Sequence, residues 1–201
     1  MTPSDRRAFM QPVITTDTSA GAVVAGACNC NPADVRFWQL IREDYKTHDS
    51  EFFSQGFWAL AIHRFGNWRM SIRWKFFRAP LSLLHRFLGK ACEIVCGIYL
   101  PYTVQVGRRV RLEHFGGMIL VPRKIGNDVI IRQNTTIGIK TLADLDARPS
   151  IEDGVRIGAG AVLVGRITIG SNSFIGANAV VDFDVPPGSK VIGNPGRIVP
   201  V

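Results

Sequence analysis

One histidine of this chain stands in a setting where an imidazole could act as a base. His114 follows Glu113 and is closely followed by Gly116 and Gly117. Imidazole is the side chain whose unperturbed pKa lies near neutrality, so His114 could remove a proton from a hydroxyl group as that group attacks. Glu113 could hold an amino or hydroxyl group of a substrate, or it could be a solvent-facing charge. Surface or packing roles are expected for the remaining histidines, which are His48, His63 and His85.

A six-residue repeat of aliphatic residues must position this histidine. Its longest run, without a slip, is Ile151, Ile157, Leu163, Ile169, Ile175 and Val181. The same step recurs in Ile125, Ile131 and Ile137, and in the pair Val104 and Val110. A six-residue strand and turn cannot bury its aliphatic side chain alone, so successive coils must stack. The repeat predicts a mainly β fold, a parallel β-helix, in preference to a sandwich, whose strands alternate with a period of two.

Small residues between the aliphatic positions mark the corners of the coils. Gly and Asn tolerate positive φ at low cost. The corner residues of these types are Gly126, Gly138, Gly158, Asn172 and Asn178. The repeat also loses register at residues 114–118 and at 140–149, where loops must leave the stack, and loops on a rigid scaffold commonly carry function. In the second loop Asp144, Asp146 and Arg148 are candidate substrate-binding residues, suited to a carboxylate, a phosphate or sugar hydroxyls.

The rest of the chain divides into two further parts. Residues 34–97 carry aliphatic and aromatic residues at near-helical spacing and predict an α-helical region. Residues 1–33 are poor in large apolar side chains and predict a flexible tail. The β-helix is then expected over residues 98–201. Cys92 and Cys96, one helical turn apart, are expected to be small buried hydrophobic residues, and no metal site is predicted.

Composition narrows the class of protein and its location. The sequence contains no apolar stretch of the roughly 20 residues that a spanning helix needs and no adequate signal-peptide core. A cytoplasmic protein is therefore expected. The net charge is +8, but the chain has no recognised nucleic-acid reader motif, so nucleic-acid binding is not predicted.

Much of the positive charge lies in the helical region, among aromatic residues. The cations are Arg64, Arg69, Arg73, Lys75, Arg78, Arg86 and Lys90. Such a pattern could hold the protein peripherally at an anionic membrane. A solvated basic face that covers an interface between subunits is the favoured reading, because long basic stems commonly cover apolar surface.

The motifs together resemble the serine O-acetyltransferase branch of the left-handed β-helix acyltransferases, including relatives that acetylate exopolysaccharides. The matching segments are V-G-R-R-V-R-L-E-H-F-G-G at 106–117, I-G-N-D-V-I-I-R-Q-N-T-T-I-G at 125–138, R-P-S-I-E-D-G-V-R-I-G-A-G-A at 148–161, I-G-A-N-A-V-V at 175–181 and V-P-P-G-S-K-V-I-G-N-P-G-R-I-V at 185–199. The resemblance implies acetyl-CoA as donor, with His114 as catalytic base. It also implies a homotrimer, or a multiple of trimers, with the donor bound between neighbouring solenoids.

The resemblance implies roles for further residues and shows where this sequence differs from the family. The acidic partner of the family's histidine matches Tyr99, which could orient the imidazole through its hydroxyl, and a second family histidine matches Arg148. The pantetheine arm of the implied donor can pair with backbone groups along a coil, which favours small residues such as Gly138, Ala159 and Ala177. The resemblance implies that Lys190 and Arg197 supply the cations for the phosphates.

These departures favour an O-acetyltransferase acting on a hydroxyl of a sugar or polysaccharide precursor. Serine is the alternative acceptor. A non-catalytic β-helix protein that serves as an assembly subunit is the second alternative, because the carboxylate partner of the histidine is missing.

Overall fold

The computed structural model describes residues 28–194 and 197–199, together with the backbone of two short strands, β1 (Ile14–Thr15) and β2 (Val23–Val24), which pair antiparallel. Three helices follow, namely α1 (Phe37–Thr47), α2 (Gln55–Trp68) and α3 (Lys75–Cys96), with a 3-10 turn at Arg69–Ser71. They lie within the region predicted to be helical. None of the described helices is both long and apolar enough to cross a bilayer.

The strands after α3 form three sheets of a parallel β-solenoid. Sheet I contains β4 (Gln105–Val106), β7 (Lys124–Ile125), β10 (Ser150–Ile151) and β13 (Thr168–Ile169). Sheet II contains β5 (Arg111–Glu113), β8 (Ile130–Arg132), β11 (Arg156–Ile157), β14 (Phe174–Ile175), β16 (Lys190–Ile192) and, antiparallel at its end, β17 (Arg197–Val199). Sheet III contains β3 (Ile98–Tyr99), β6 (Met118–Leu120), β9 (Thr136–Gly138), β12 (Val162–Val164) and β15 (Val180–Val181). The chain passes through sheets I, II and III in turn, and each circuit is one coil.

The predicted aliphatic positions form the core of the solenoid. In the strand register, Ile125, Ile151 and Ile169 stack in sheet I, Ile131, Ile157 and Ile175 in sheet II, and Ile137, Leu163 and Val181 in sheet III. All of them are buried. In the first coil the stacked residues are Val106 and Leu112, in register with Ile125 and Ile131. Val104 and Val110, which the sequence pattern selects, are also buried but lie two residues earlier.

The corner residues differ in part from the prediction. Asn172 and Asn178 have φ of 59° and 56°, as expected, whereas Gly126, Gly138 and Gly158 do not have positive φ. At the corners that follow sheets I and II in the second to fourth coils, the left-handed residue comes three positions after the stacked aliphatic. It therefore falls on the asparagines and not on these glycines. At Gly158 the requirement is close approach instead, because a Cβ there would lie 2.6 Å from the backbone N of Ala177.

Helices α1 and α2 close the open end of the solenoid with buried polar side chains. Arg64 Nη1 donates to the Val106 carbonyl at 2.7 Å, and His63 Nε2 donates to the Val104 carbonyl at 3.0 Å. His48 Nε2 accepts from the Leu112 N–H at 3.2 Å. These groups satisfy backbone atoms of β4, β5 and the turn before β4 that a preceding coil would otherwise pair.

This arrangement corrects the expected basic face of the helical region. Arg64 is fully buried, and its Nε lies 2.9 Å from the carboxylate of Asp44, which is also fully buried. Arg69 is buried as well, with its guanidinium 4.5 Å from the centre of the Tyr102 ring. Neither arginine is available to an outside partner, since the cost of burying each charge is offset by these contacts.

The last residues of the predicted tail are in contact with the helices. The Cys30 N–H donates to Asn67 Oδ1 at 3.0 Å, and Asn31 Nδ2 donates to the Arg64 carbonyl at 2.9 Å. Asn29 Nδ2 donates to Ser71 Oγ at 2.9 Å. The tail prediction for residues 1–13, 16–22 and 25–27 lies outside the described residues.

Candidate functional site

The turn that carries His114 is fixed by backbone contacts on both sides. It joins β5 to β6 at the corner between sheets II and III, which we call the II–III corner. The Gly116 N–H donates to the Cys96 carbonyl at the end of α3 at 3.0 Å, and the Gly116 carbonyl accepts from the Asn134 N–H of the next coil at 3.1 Å. A Cβ on Gly97 would lie only 2.9 Å from the Gly116 Cα. Glycine at these positions therefore lets helix, turn and coil approach closely.

His114 itself lies in an unusual conformation and faces solvent. Its φ is 64°, in the left-handed region that few non-glycine residues adopt. The side chain is exposed, and among the described residues it has no hydrogen-bond partner. Phe115 beside it is 58% exposed. An accessible imidazole on a pinned backbone can approach a bound hydroxyl group and take its proton.

Glu113 and Tyr99, the residues expected to assist His114, have other surroundings. The Glu113 carboxylate lies 2.9 Å from Arg132 Nε and 3.3 Å from Arg111 Nε, so it belongs to an ion-pair cluster on sheet II. Tyr99 is half-buried on β3, where burial raises the pKa of its phenol and keeps it protonated. No hydrogen bond joins either side chain to His114 in the described part of the chain.

The loop at 139–149 separates its three predicted site residues. Asp144 Oδ2 lies 3.0 Å from Arg166 Nη2, and this arginine lowers the pKa of Asp144. The same carboxylate accepts from the Asp146 N–H at 3.1 Å, so Asp144 holds the loop against the next coil. The Asp146 side chain is exposed.

Arg148 is the member of this loop with unused binding capacity. It is half-buried, its Nε is shielded from solvent without a hydrogen-bond partner, and burial lowers the pKa of the guanidinium. Arg123 lies on the adjacent coil, where its N–H donates to the Pro149 carbonyl at 2.8 Å. Neither arginine forms an ion pair with a carboxylate of the described residues. Two neighbouring guanidinium groups without a carboxylate partner can bind an anion. Arg123 was not predicted from the sequence as a site residue.

The predicted donor-binding residues flank sheet III. Ala159 and Ala177 lie at the II–III corner of the third and fourth coils, and the Asn178 N–H donates to the Ala159 carbonyl at 2.9 Å. His114 lies at the same corner of the first coil. With about 4.8 Å between neighbouring strands, three coil steps separate His114 from Ala177 by about 14 Å. Along this corner the stacked positions of the four coils are Gly116, Gln133, Ala159 and Ala177, so the small residues of the third and fourth coils are separated from His114 by Gln133.

Gly138, Lys190 and Arg197 lie on strands, outside the II–III corner. Gly138 lies at the far end of sheet III, and a Cβ there would meet nothing within 4 Å, so the space beside it is open to a ligand. Lys190 lies on β16 with its Nζ 5.5 Å from the centre of the Phe174 ring, and Arg197 is exposed on β17. Both cations are at the end of the solenoid opposite to the helices.

Comparison with known proteins gives consistent matches. Residues 148–182 match the family model described as Bacterial transferase hexapeptide (six repeats). The serine acetyltransferase of Escherichia coli K12 is 34% identical over 191 residues, covering 94% of this chain and 67% of that protein. The serine acetyltransferase of Bacillus subtilis is 30% identical over 168 residues, covering 81% of this chain and 77% of that protein.

Solved structures agree with the sequence matches. Soybean serine acetyltransferase, solved as the apoenzyme and in complex with serine, superimposes with a TM-score of 0.68 at 30% identity, covering 81% of this chain and 69% of that chain. The solenoid is thus the left-handed parallel β-helix of these acetyltransferases, as predicted. The chain belongs to the serine acetyltransferase family of hexapeptide-repeat acyltransferases.

Proposed function

We propose that the protein transfers the acetyl group of acetyl-CoA to the hydroxyl of serine. The observation that carries this proposal is the position of His114: an exposed imidazole on a pinned turn, at the same corner of the solenoid as Ala159 and Ala177. An extended thioester arm that passes the small residues of this corner could bring its carbonyl carbon to the imidazole. The serine acceptor is supported by the similarity of the chain to serine acetyltransferases, one of them solved in complex with serine.

One base is sufficient for both proton transfers of the reaction. His114 takes the proton from the serine hydroxyl as its oxygen attacks the thioester carbonyl. The tetrahedral intermediate collapses, the carbon–sulfur bond breaks, and the imidazolium returns the proton to the leaving thiolate. The products are O-acetylserine and free CoA. Tyr99 stays a neutral phenol in this scheme, so it could orient the imidazole but would stabilise the imidazolium less than a carboxylate does.

Arg148 and Arg123 favour serine over the sugar acceptor inferred from the sequence. A serine acceptor carries a carboxylate, and a half-buried guanidinium without a carboxylate partner among the described residues is suited to bind it. Because Arg148 lies at the corner between sheets III and I and His114 at the II–III corner, the serine would be held between His114 of one copy and Arg148 of a neighbouring copy. A neutral sugar would leave both charges unpaired. Glu113 has two arginine partners already and is assigned a positioning role on sheet II.

Assembly and donor binding follow from the same fold. The outer surface of sheet III carries Ile119, 49% exposed, with Val162 and Val180 in line with it, and we propose that copies pack there as a trimer or a multiple of trimers. The donor would then lie between neighbouring solenoids, contacting Gly138, Ala159 and Ala177, with Lys190 and Arg197 near its phosphates. The helical region forms the cap of the trimer, and a cytoplasmic location is proposed.

A thiol-release assay with acetyl-CoA tests the acceptor. We expect L-serine to give a higher specificity constant than nucleotide sugars and oligosaccharides, with O-acetylserine identified by mass spectrometry. A saccharide with the higher specificity constant would reverse the assignment. If no thiol is released with either kind of acceptor, the acceptor belongs to another class.

A further inference from the structure

Helix α3 presents a continuous apolar face to the outside of the molecule. The stripe follows helical spacing through Phe76, Leu83, Phe87 and Ile94, which are 83%, 70%, 70% and 76% exposed. Further exposed apolar residues widen this stripe or extend it before the helix, namely Trp74, Phe77, Leu84 and Val95. The opposite side of α3 is occupied, since Cys92 and Cys96 are buried against the rest of the protein. We call the outward stripe the α3 face.

Cations line one flank of the α3 face. Lys75, Arg86 and Lys90 are exposed on the helix, and Arg73 is exposed just before it. Glu93 is the only acidic residue from 73 to 96, and it forms an ion pair with Lys90. The face therefore combines large apolar side chains, aromatic residues among them, with an adjacent row of positive charge.

We propose that the α3 face docks on an anionic lipid surface, with the helix lying in the plane of the membrane interface. A helix with Phe, Trp and Leu on one side and Lys and Arg beside it buries its apolar side at the boundary between headgroups and acyl chains. Anionic headgroups attract the flanking cations. This interaction is proposed to be independent of the transfer reaction, because α3 meets the His114 turn at its C-terminal end, where the Cys96 carbonyl accepts from the Gly116 N–H, and the α3 face points outward.

Charge complementarity favours a lipid surface over a second copy of this chain. In an antiparallel pair of α3 faces the two basic flanks would lie on the same side, and like charges at an interface oppose association. A lipid surface that carries negative charge complements the same residues. The outer surface of sheet III lacks such a basic row at Ile119, Val162 and Val180, so it is the better surface for contacts between copies.

Co-sedimentation of the full chain with vesicles tests the proposal. The vesicles contain phosphatidylcholine alone, or phosphatidylcholine and phosphatidylglycerol in equal parts. We expect binding to the phosphatidylglycerol vesicles at about 0.1 M salt and its loss at about 1 M salt, where the screening length falls from about 10 Å to about 3 Å. The charge variant Arg73→Gln, Lys75→Gln, Arg86→Gln, Lys90→Gln and the apolar variant Phe76→Gln, Leu83→Gln, Phe87→Gln should each weaken binding at least about tenfold.

A matched variant separates local charge from net charge. Four exposed cations elsewhere are replaced in it: Arg36→Gln, Arg42→Gln, Lys124→Gln and Arg156→Gln. This control changes the net charge equally and should bind within about threefold of the parent. Equal binding to phosphatidylcholine vesicles, no binding of the parent at low salt, or equal losses in the control and charge variants would each overturn the proposal. A smaller assembly mass for the apolar variant, with no vesicle binding by the parent, would assign the α3 face to a second copy.

Discussion

The left-handed conformation of His114 fixes where its imidazole can act. A non-glycine residue pays for φ near 64° with conformational strain of about 1 kcal/mol or more, and it keeps that conformation only because the surroundings impose it. The surroundings here are the contacts of Gly116 with α3 and with Asn134. The turn thus aims the side chain away from the stacked core and toward the II–III corner, where a donor can reach it.

Replacing His114 tests the base without disturbing this backbone. Asn tolerates positive φ and cannot accept a proton at neutral pH, so His114→Asn should keep the turn and remove the chemistry. We expect kcat to fall by about a hundredfold or more, with the thermal unfolding temperature and the assembly mass unchanged. Steady-state assays measure kcat, calorimetry measures the unfolding temperature, and native mass spectrometry measures the assembly mass. Activity within a few-fold of the parent would rule out His114 as the base.

Replacing Arg148 tests how the acceptor is held. A charge-assisted hydrogen bond contributes about 1.5–3 kcal/mol, so Arg148→Met should raise the KM for serine at least about tenfold and leave the KM for acetyl-CoA unchanged. Arg148→Lys should recover part of the loss. The control Arg156→Met removes an exposed arginine from sheet II and should leave both KM values unchanged. An equal rise in the two KM values would argue against a carboxylate contact.

At the scale of residues, the sequence allowed the candidate base to be predicted, but not the partners of the other polar side chains. His114 could be selected because imidazole chemistry, adjacent glycines and a register break coincide in one segment. The burial of Arg64 could not be foreseen, because Asp44, Val106 and Gly107 meet it only after the helices pack on the first coil. Arg123 could not be predicted as a site residue either, because only the stacking of the coils brings Arg148 beside it.

At the scale of elements, two glycines with different surroundings make a matched test of the corners. At Gly158 an added Cβ would meet rigid backbone of the fourth coil, so Gly158→Ala should lower the free energy of unfolding by about 1–3 kcal/mol. At Gly138 the added methyl would meet nothing, so Gly138→Ala should keep stability and raise the KM for acetyl-CoA. Denaturant titrations and steady-state kinetics distinguish these outcomes. Equal stability of the two variants would contradict the stacking geometry.

The helical cap should make stability depend on pH. Burial lowers the pKa of His63 to about 3, far below its ordinary value of 6.5. Its contribution to folding is therefore complete above about pH 6.5 and declines as the pH falls toward the folded pKa. Between pH 7 and pH 5.5 we expect a loss of about 1 kcal/mol from this residue.

Denaturant unfolding at the two pH values measures this loss. His63→Gln should reduce the dependence without abolishing it, because burial also lowers the pKa of His48 and of His85. The difference between parent and variant isolates the contribution of His63. A parent protein whose free energy of unfolding is the same at both pH values would contradict the buried, neutral state of these imidazoles.

For the whole molecule, the outer surface of sheet III is the expected contact between copies. Val162→Lys puts a charge in the middle of that surface and should shift native mass spectra toward the single chain. If the donor lies between copies, the same variant raises the KM for acetyl-CoA. Thr168→Lys adds the same charge on the exposed side of sheet I and should leave mass and kinetics unchanged. A Val162→Lys protein that retains the parental mass would exclude sheet III as the interface.

The fold of the solenoid was predictable because its core repeats a local pattern. Each core aliphatic from Ile151 to Val181 can be predicted from the aliphatic residues six positions away, and all of them are buried, as expected. The first coil has no such redundancy, so the pattern selected Val104 and Val110 where Val106 and Leu112 hold the stack. The contacts of Cys30 and Asn31 with α2 are also nonlocal, and no periodicity predicts them.

The polar cap over the first coil has a consequence for aggregation. A bare edge strand offers unpaired N–H and C=O groups to which the strand of another molecule can add. At the first coil, His48, His63 and Arg64 already occupy such groups on β4, β5 and the turn before β4, and β17 folds back antiparallel over β16 at the other end. Acid conditions that protonate His48 would free the N–H of Leu112. Addition of a foreign strand to β5 should therefore be favoured at low pH, where His48 no longer occupies this N–H.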